Sequence, residues 1–164
     1  MASTQQRPAS RRLQARVMNV VNVPMRLLLG LPFATPAGGR LMLAFIVGRK
    51  SGRVYRQPLS YARDGDTLLT PGGGAWKQNL ASGAPVRLRI RGRDHLARPE
   101  LVRDQQTVAA LLDVITAGNP MAGRFVGIQR DQDGRLDPQR LGLAITHGFA
   151  VVRWHLDGAD AARP

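Results

Sequence analysis

Between Leu41 and Leu101 no apolar run outlasts a strand, and each one ends on glycine, proline or an aspartate–glycine pair. Such punctuation leaves no room for a long helix and predicts short strands joined by tight turns. Leu41–Val47 (LMLAFIV) reads as the first strand and Gly48-Arg49-Lys50-Ser51-Gly52 as a basic turn. Val54–Ala62 reads as the return strand, in which Pro58 marks a bulge or an edge because it cannot donate to a ladder. Arg63-Asp64-Gly65-Asp66 is a hairpin turn, Thr67–Thr70 a short strand, Pro71–Gly74 a flexible loop and Trp76–Leu80 a helical turn. Pro85–Arg93 alternates, with Val86, Leu88 and Ile90 on one face and Arg87, Arg89 and Arg91 on the other. A turn at Gly92-Arg93-Asp94 leads into a strand over His95–Leu101.

Helical signals sit on either side of this block. Arg11–Leu29 has a basic stripe opposite Leu13, Val17, Val20, Leu27 and Leu28, with a kink expected at Pro24. Asp104 is placed to cap a helix to Gly118, Asn119-Pro120 to start a second, and Asp137-Pro138 to start a third that ends near Gly148. Phe149–Leu156 is a closing strand. The order describes an α+β domain around an antiparallel sheet or small barrel and lacks the βαβ rhythm of a dinucleotide-binding fold. Its expected divisions are a disordered tail (1–10), a basic amphipathic helix (11–34), the sheet domain (35–157) and a frayed tail (158–164).

A chain of 164 residues, 43% hydrophobic and 21% charged, suits one globular domain. With no cysteine, disulfides, thiolate nucleophiles, iron–sulfur clusters and cysteine zinc sites are excluded. Lysine occurs only at Lys50 and Lys77, so nearly all of the 24 basic residues are arginine. Residues 1–63 hold ten Arg, one Lys and no Asp or Glu, out of a net charge of +13 for the whole chain. A field so concentrated draws an anion: a nucleic acid, an acidic membrane surface or a polyanionic small molecule.

Side-chain catalysts are scarce. Glu100 is the sole Glu, and His95, His147 and His155 match no metal-binding spacing. His147, before Gly148, is placed to cap a helix end. No GxSxG elbow, Walker loop or GxGxxG fingerprint occurs, so no catalytic side chain and no metal site is nominated. An enzyme of this composition relies on a cofactor for its chemistry. Gly48–Gly52 is the most informative stretch: its glycines let the backbone curl, and Arg49, Lys50 and Ser51 supply donors for a phosphate or carboxylate. The competing reading is a solvated basic hairpin tip.

The wider pattern resembles the deazaflavin-dependent nitroreductase family. It runs through Gly48–Gly52, Pro58-Leu59, Tyr61, Asp64-Gly65-Asp66, Gly72-Gly73, Trp76 and Asn79-Leu80, covering about residues 41–93, and VVRW suits the closing strand. The resemblance implies a split β-barrel of the FMN-binding type with flanking helices. It also implies the anionic 8-hydroxy-5-deazaflavin coenzyme F(420) and hydride transfer to a quinone, nitroaromatic or activated alkene. It carries phosphate contact over to Arg49, Lys50 and Ser51, and ring and tail contact to Pro58, Trp76 and Asn79; Arg56, Gly72 and Gly73 complete the expected cofactor-binding set.

Three departures stand out: Ile46-Val47 where many members have Thr, a short loop before Trp76, and no Tyr after Tyr61. An apolar substrate pocket from Met121, Phe125 and Val126 is expected instead, suited to a lipophilic quinone or unsaturated ring. Tyr55 and Tyr61 are candidates to stack near the coenzyme or to pack in the sheet, and Arg87, Arg89, Arg91 and Arg93 to extend the anion groove or face solvent. The alternatives are an FMN enzyme, or a haem, tetrapyrrole or fatty-acid carrier on the same barrel. A basic nucleic-acid module is disfavoured by few aromatics and no recognised motif. The expected setting is cytoplasmic, as monomer or homodimer, with the N-terminal helix suited to peripheral contact with the inner face of a membrane. The apolar stretch after Ser10-Arg11-Arg12 is too broken for an export signal.

Overall fold

A computed structural model describes residues 39–126 and 130–157. The expectations for the N-terminal helix and for both tails fall outside these residues. The elements are β1 (Leu41–Val47), β2 (Val54–Ser60), β3 (Ala62–Asp64), β4 (Thr67–Gly72) and a 3-10 helix (Ala75–Leu80). Then come β5 (Val86–Ile90), β6 (Arg93–Val102), α1 (Gln105–Gly118), α2 (Pro120–Phe125), α3 (Pro138–Thr146) and β7 (Ala150–Leu156). The strands form one sheet in the order β2-β1-β5-β6-β7-β4-β3, and every neighbouring pair is antiparallel.

Two turns differ from the sequence reading. The expected strand Val54–Ala62 is cut at Tyr61, so its two parts become β2 and β3 at opposite edges of the sheet. One residue links those edges, and the sheet must curl until they meet. Asn119, buried after α1, fastens the junction: its Nδ2 donates to Arg40 O at 3.1 Å and Tyr61 O at 2.8 Å, and its Oδ1 accepts from Ala122 N–H at 3.3 Å. The β5–β6 turn falls at Arg91-Gly92, between the paired Ile90 and Arg93. Both turn residues have positive φ, 48° and 78°, as a two-residue hairpin matched to strand twist requires.

Alternation sorts the strands between two cores. Met42, Ala44, Ile46, Leu68, Leu88 and Trp154 fill the inside of the curl. Leu69, Val102 and Val151 point the other way, onto Val108, Leu111, Leu112 and Ile115 of α1 and Leu141 of α3. Because β4 and β7 are covered on both faces, their sequences read as apolar runs rather than as alternation. Trp154 is fully buried, with its Nε1–H donating to the buried Thr70 hydroxyl at 3.1 Å.

On the outer side of β1 lie Leu43 and Phe45. The Arg87 guanidinium sits 3.5 Å from the Phe45 ring centre, and Asp94 holds Arg87 at 2.9 Å and Arg89 at 2.6 Å. Helix caps follow the sequence reading. The Asp104 carboxylate accepts from Thr107 N–H, Asp137 from Gln139 N–H, and the His147 ring pairs with Leu143 O at 2.7 Å.

Candidate functional site

The β1–β2 turn is shaped by a residue outside it. Gly52 N–H donates to Gly48 O and Gly48 N–H to Arg53 O, both at 2.8 Å, with Gly52 at φ 65°. The Tyr55 ring lies so close to Gly48 that any Cβ there would strike it. The Tyr55 and Ser51 hydroxyls are 3.1 Å apart, and Ser51 Oγ also accepts from Arg53 N–H at 3.3 Å. A second clasp comes from the 3-10 helix. Arg49 N–H donates to Asn79 Oδ1 at 3.1 Å, and the Arg49 guanidinium to Gln78 Oε1 at 3.2 Å.

Beside this turn, between β2 and the 3-10 helix, opens a cleft of about 500 Å³, lined by Ile46, Val54, Tyr55, Arg56, Gln57, Ala75, Trp76 and Asn79. The size falls within the usual range for small-molecule sites. Tyr55 and Trp76 supply aromatic surface and Ile46 aliphatic surface; among the described residues no carboxylate or histidine lines the cleft. Arg49, Lys50, Ser51 and Arg53 are exposed on the turn. The nearest acid following the turn in sequence is Asp64. Among the described residues no three His, Cys, Asp or Glu converge on a metal position.

Placement of the expected site residues is uneven. Arg49, Ser51, Arg56, Trp76 and Asn79 come together around or beside the cleft. Asn79 Oδ1 is engaged by the turn backbone. Arg56, paired with Phe45, sets its guanidinium 5.9 Å from that ring at the outer rim. Pro58 pairs with Leu43 and so takes the outer face of β2, away from the face shared by Ile46 and Tyr55. Gly72 and Gly73 precede the cleft wall. A Cβ on Gly72 would collide with the Lys77 stem and one on Gly74 with the Trp76 indole, whereas Gly73 has open space. The triple glycine is therefore in part a seat for two side chains.

Tyr55 is 50% exposed and lines the cleft, while Tyr61 is 6% exposed inside the barrel, where burial raises its phenol pKa. Arg87 and Arg89 are committed to Phe45 and Asp94 on the outer face. Met121 is exposed on α2 and Val126 packs against the helical core, so neither faces the cleft. The sequence reading missed the structuring role of Tyr55, together with Gln78 and Lys77.

No family model matches the sequence, and no curated protein matches it. Solved structures do. A candidate 5-nitroimidazole antibiotic resistance protein from Bacteroides thetaiotaomicron superposes with a TM-score of 0.51 at 14% identity, covering 73% of this chain and 74% of that one. A protein of unknown function from Agrobacterium tumefaciens gives a TM-score of 0.52 at 12% identity over 73% of this chain and 49% of that one, so the match spans about half of that protein. A domain-swapped dimer gives a TM-score of 0.50 at 12% identity over 85% of this chain and 98% of that one. The fold is the FMN-binding split barrel. In this split barrel the seam lies between the edge strands, and the cleft stands where the β1–β2 hairpin meets the 3-10 helix. No helix among the described residues of the barrel is long and apolar enough to cross a membrane.

Proposed function

We propose that this split barrel is a two-electron oxidoreductase whose cleft holds an anionic flavin-type cofactor, the 8-hydroxy-5-deazaflavin coenzyme, and whose substrate is a quinone, nitroaromatic or activated alkene. The observation that carries the reading is a cleft with aromatic walls, Tyr55 and Trp76, and Arg56 in its lining, beside a cationic turn whose Arg49 is held by the cleft residue Asn79, on a split-barrel fold.

The residues present fit such a group. A flat ring system suits the aromatic and aliphatic walls, and a phosphate or carboxylate suits the turn, whose backbone is already braced by Asn79 and Gln78. Lys50 is exposed on the same turn and would add a second cation for the ligand's anionic group. When bound in reduced form, a deazaflavin supplies a hydride. Ile46, Tyr55 and Trp76 would orient the ring and exclude water from one face, while Arg49 and Lys50 would neutralise the anionic tail. Among the described residues no carboxylate or histidine lines the cleft, so no side chain is assigned as the proton donor and solvent would suffice.

Titration with oxidised deazaflavin coenzyme, followed by its fluorescence with FMN in parallel, tests the reading. Saturable micromolar binding of the deazaflavin is expected, and Arg49→Ala with Lys50→Ala should weaken it at least about tenfold, as loss of charge-assisted hydrogen bonds does. Binding of FMN alone would make the chain a flavin protein. Binding of neither would end the oxidoreductase reading.

A further inference from the structure

Lys77 is only 4% exposed, in a chain that otherwise takes arginine for nearly every cation. Its ammonium donates to Gly72 O at 2.6 Å and Gly74 O at 3.0 Å, and its stem lies where a Gly72 Cβ would be. No carboxylate pairs with it among the described residues. Burial, with the charge of Arg103 added, pushes its pKa below the usual lysine value. Burying a cation without a counter-ion is costly, and the two carbonyl hydrogen bonds offset that cost only in part. A compact ammonium can satisfy two neighbouring carbonyls where the flat arginine fork would not fit.

Trp76 is the preceding residue. In a 3-10 helix successive side chains diverge by about 120°, so a Lys77 pointing inward leaves Trp76 turned toward the cleft. The indole in turn lies against Gly74, the glycine whose carbonyl Lys77 holds. We infer that Lys77 is the positioning residue of the cleft: its buried ammonium ties down the Gly72–Gly74 backbone and thereby fixes Trp76 as a rigid wall. The ligand part of this inference rests on the function proposed above; the geometric part does not.

Fluorescence separates the two. Trp154 is fully buried, so quenching by iodide reports Trp76. In Lys77→Met the loss of a cation alone would lower quenching by an anion, whereas release of Trp76 raises it. We expect a rise, together with about tenfold weaker binding of FMN and of the deazaflavin coenzyme, the scale of one aromatic contact. The chain has no cysteine, so Lys77→Cys alkylated with bromoethylamine while unfolded, then refolded, restores an ammonium of lysine length at this position alone. That product should recover wild-type quenching and affinity. Gly72→Ala, whose methyl displaces the Lys77 stem, should raise quenching as Lys77→Met does. Unchanged quenching in Lys77→Met and Gly72→Ala, or an alkylated product that behaves like Lys77→Met, overturns the inference. If the wild-type protein binds neither cofactor, the proposed function fails while the quenching result still decides the role of Lys77.

Discussion

Tyr55 and Tyr61 stand on what the sequence reads as one strand, yet one lines the cleft and the other fills the barrel. Six residues apart and on the same side of the sheet, they are separated by their place along the strand and by the break at Tyr61. Neither feature has a local signature. The basic turn was legible because its glycines and cations are contiguous. Lys77 was not, since nothing near it in sequence announces that its ammonium folds back on Gly72. Buried polar pairs set the other single-residue effects. Thr70→Val removes the only described acceptor of the Trp154 indole N–H and should cost about 1–3 kcal/mol in urea unfolding, while Thr70→Ser stays close to wild type. An unchanged unfolding midpoint for Thr70→Val would show that the indole finds another partner.

Most elements were readable from their ends. Asp104, Asp137, Asn119-Pro120 and the Asp-Gly turn each mark a boundary found in the structure. Misplaced boundaries were those set by distant contacts, such as the hairpin at Arg91-Gly92, where an arginine takes the left-handed conformation that local preference would give to Asn or Gly. Capping also fixes the acid response. The Thr107 hydroxyl and then its amide hold the Asp104 carboxyl below the ordinary aspartate range; Arg89 does the same for Asp94 and His155 for Glu100. Each group has a folded pKa below its unfolded value, so its contribution is present above the unfolded pKa and is lost as pH falls through the folded one. Asp104→Asn keeps a capping oxygen but no longer titrates there. Between neutral pH and about pH 3 its unfolding midpoint should fall less steeply than that of the wild type. Parallel slopes would remove Asp104 from the acid response.

Across the whole molecule, charge and chain path matter more than any one contact. A net charge of +13, with no acid before Asp64, should attract anions over distances that salt can screen. Raising ionic strength is therefore expected to weaken binding of the deazaflavin coenzyme and leave that of its deazariboflavin core, which lacks the phosphate and acidic tail, nearly unchanged. Equal salt dependence for the two would remove the cationic turn from recognition. The barrel itself was legible as a set of hairpins and by its resemblance to a known family, but the sheet order was not, because the link at Tyr61 sends consecutive strands to opposite edges.

That link has a mechanical consequence. The terminal strands of the sheet, β2 and β3, are tethered at one point, so opening the sheet like a clasp would expose both rims together. Asn119 is the catch, bridging Arg40 and Tyr61. In Asn119→Ala the catch is gone: stability should fall by about 1–3 kcal/mol, and the protein should self-associate through its bared rims on concentration, as sedimentation would reveal. A variant that loses stability yet stays monomeric would mean the tether alone keeps the clasp shut.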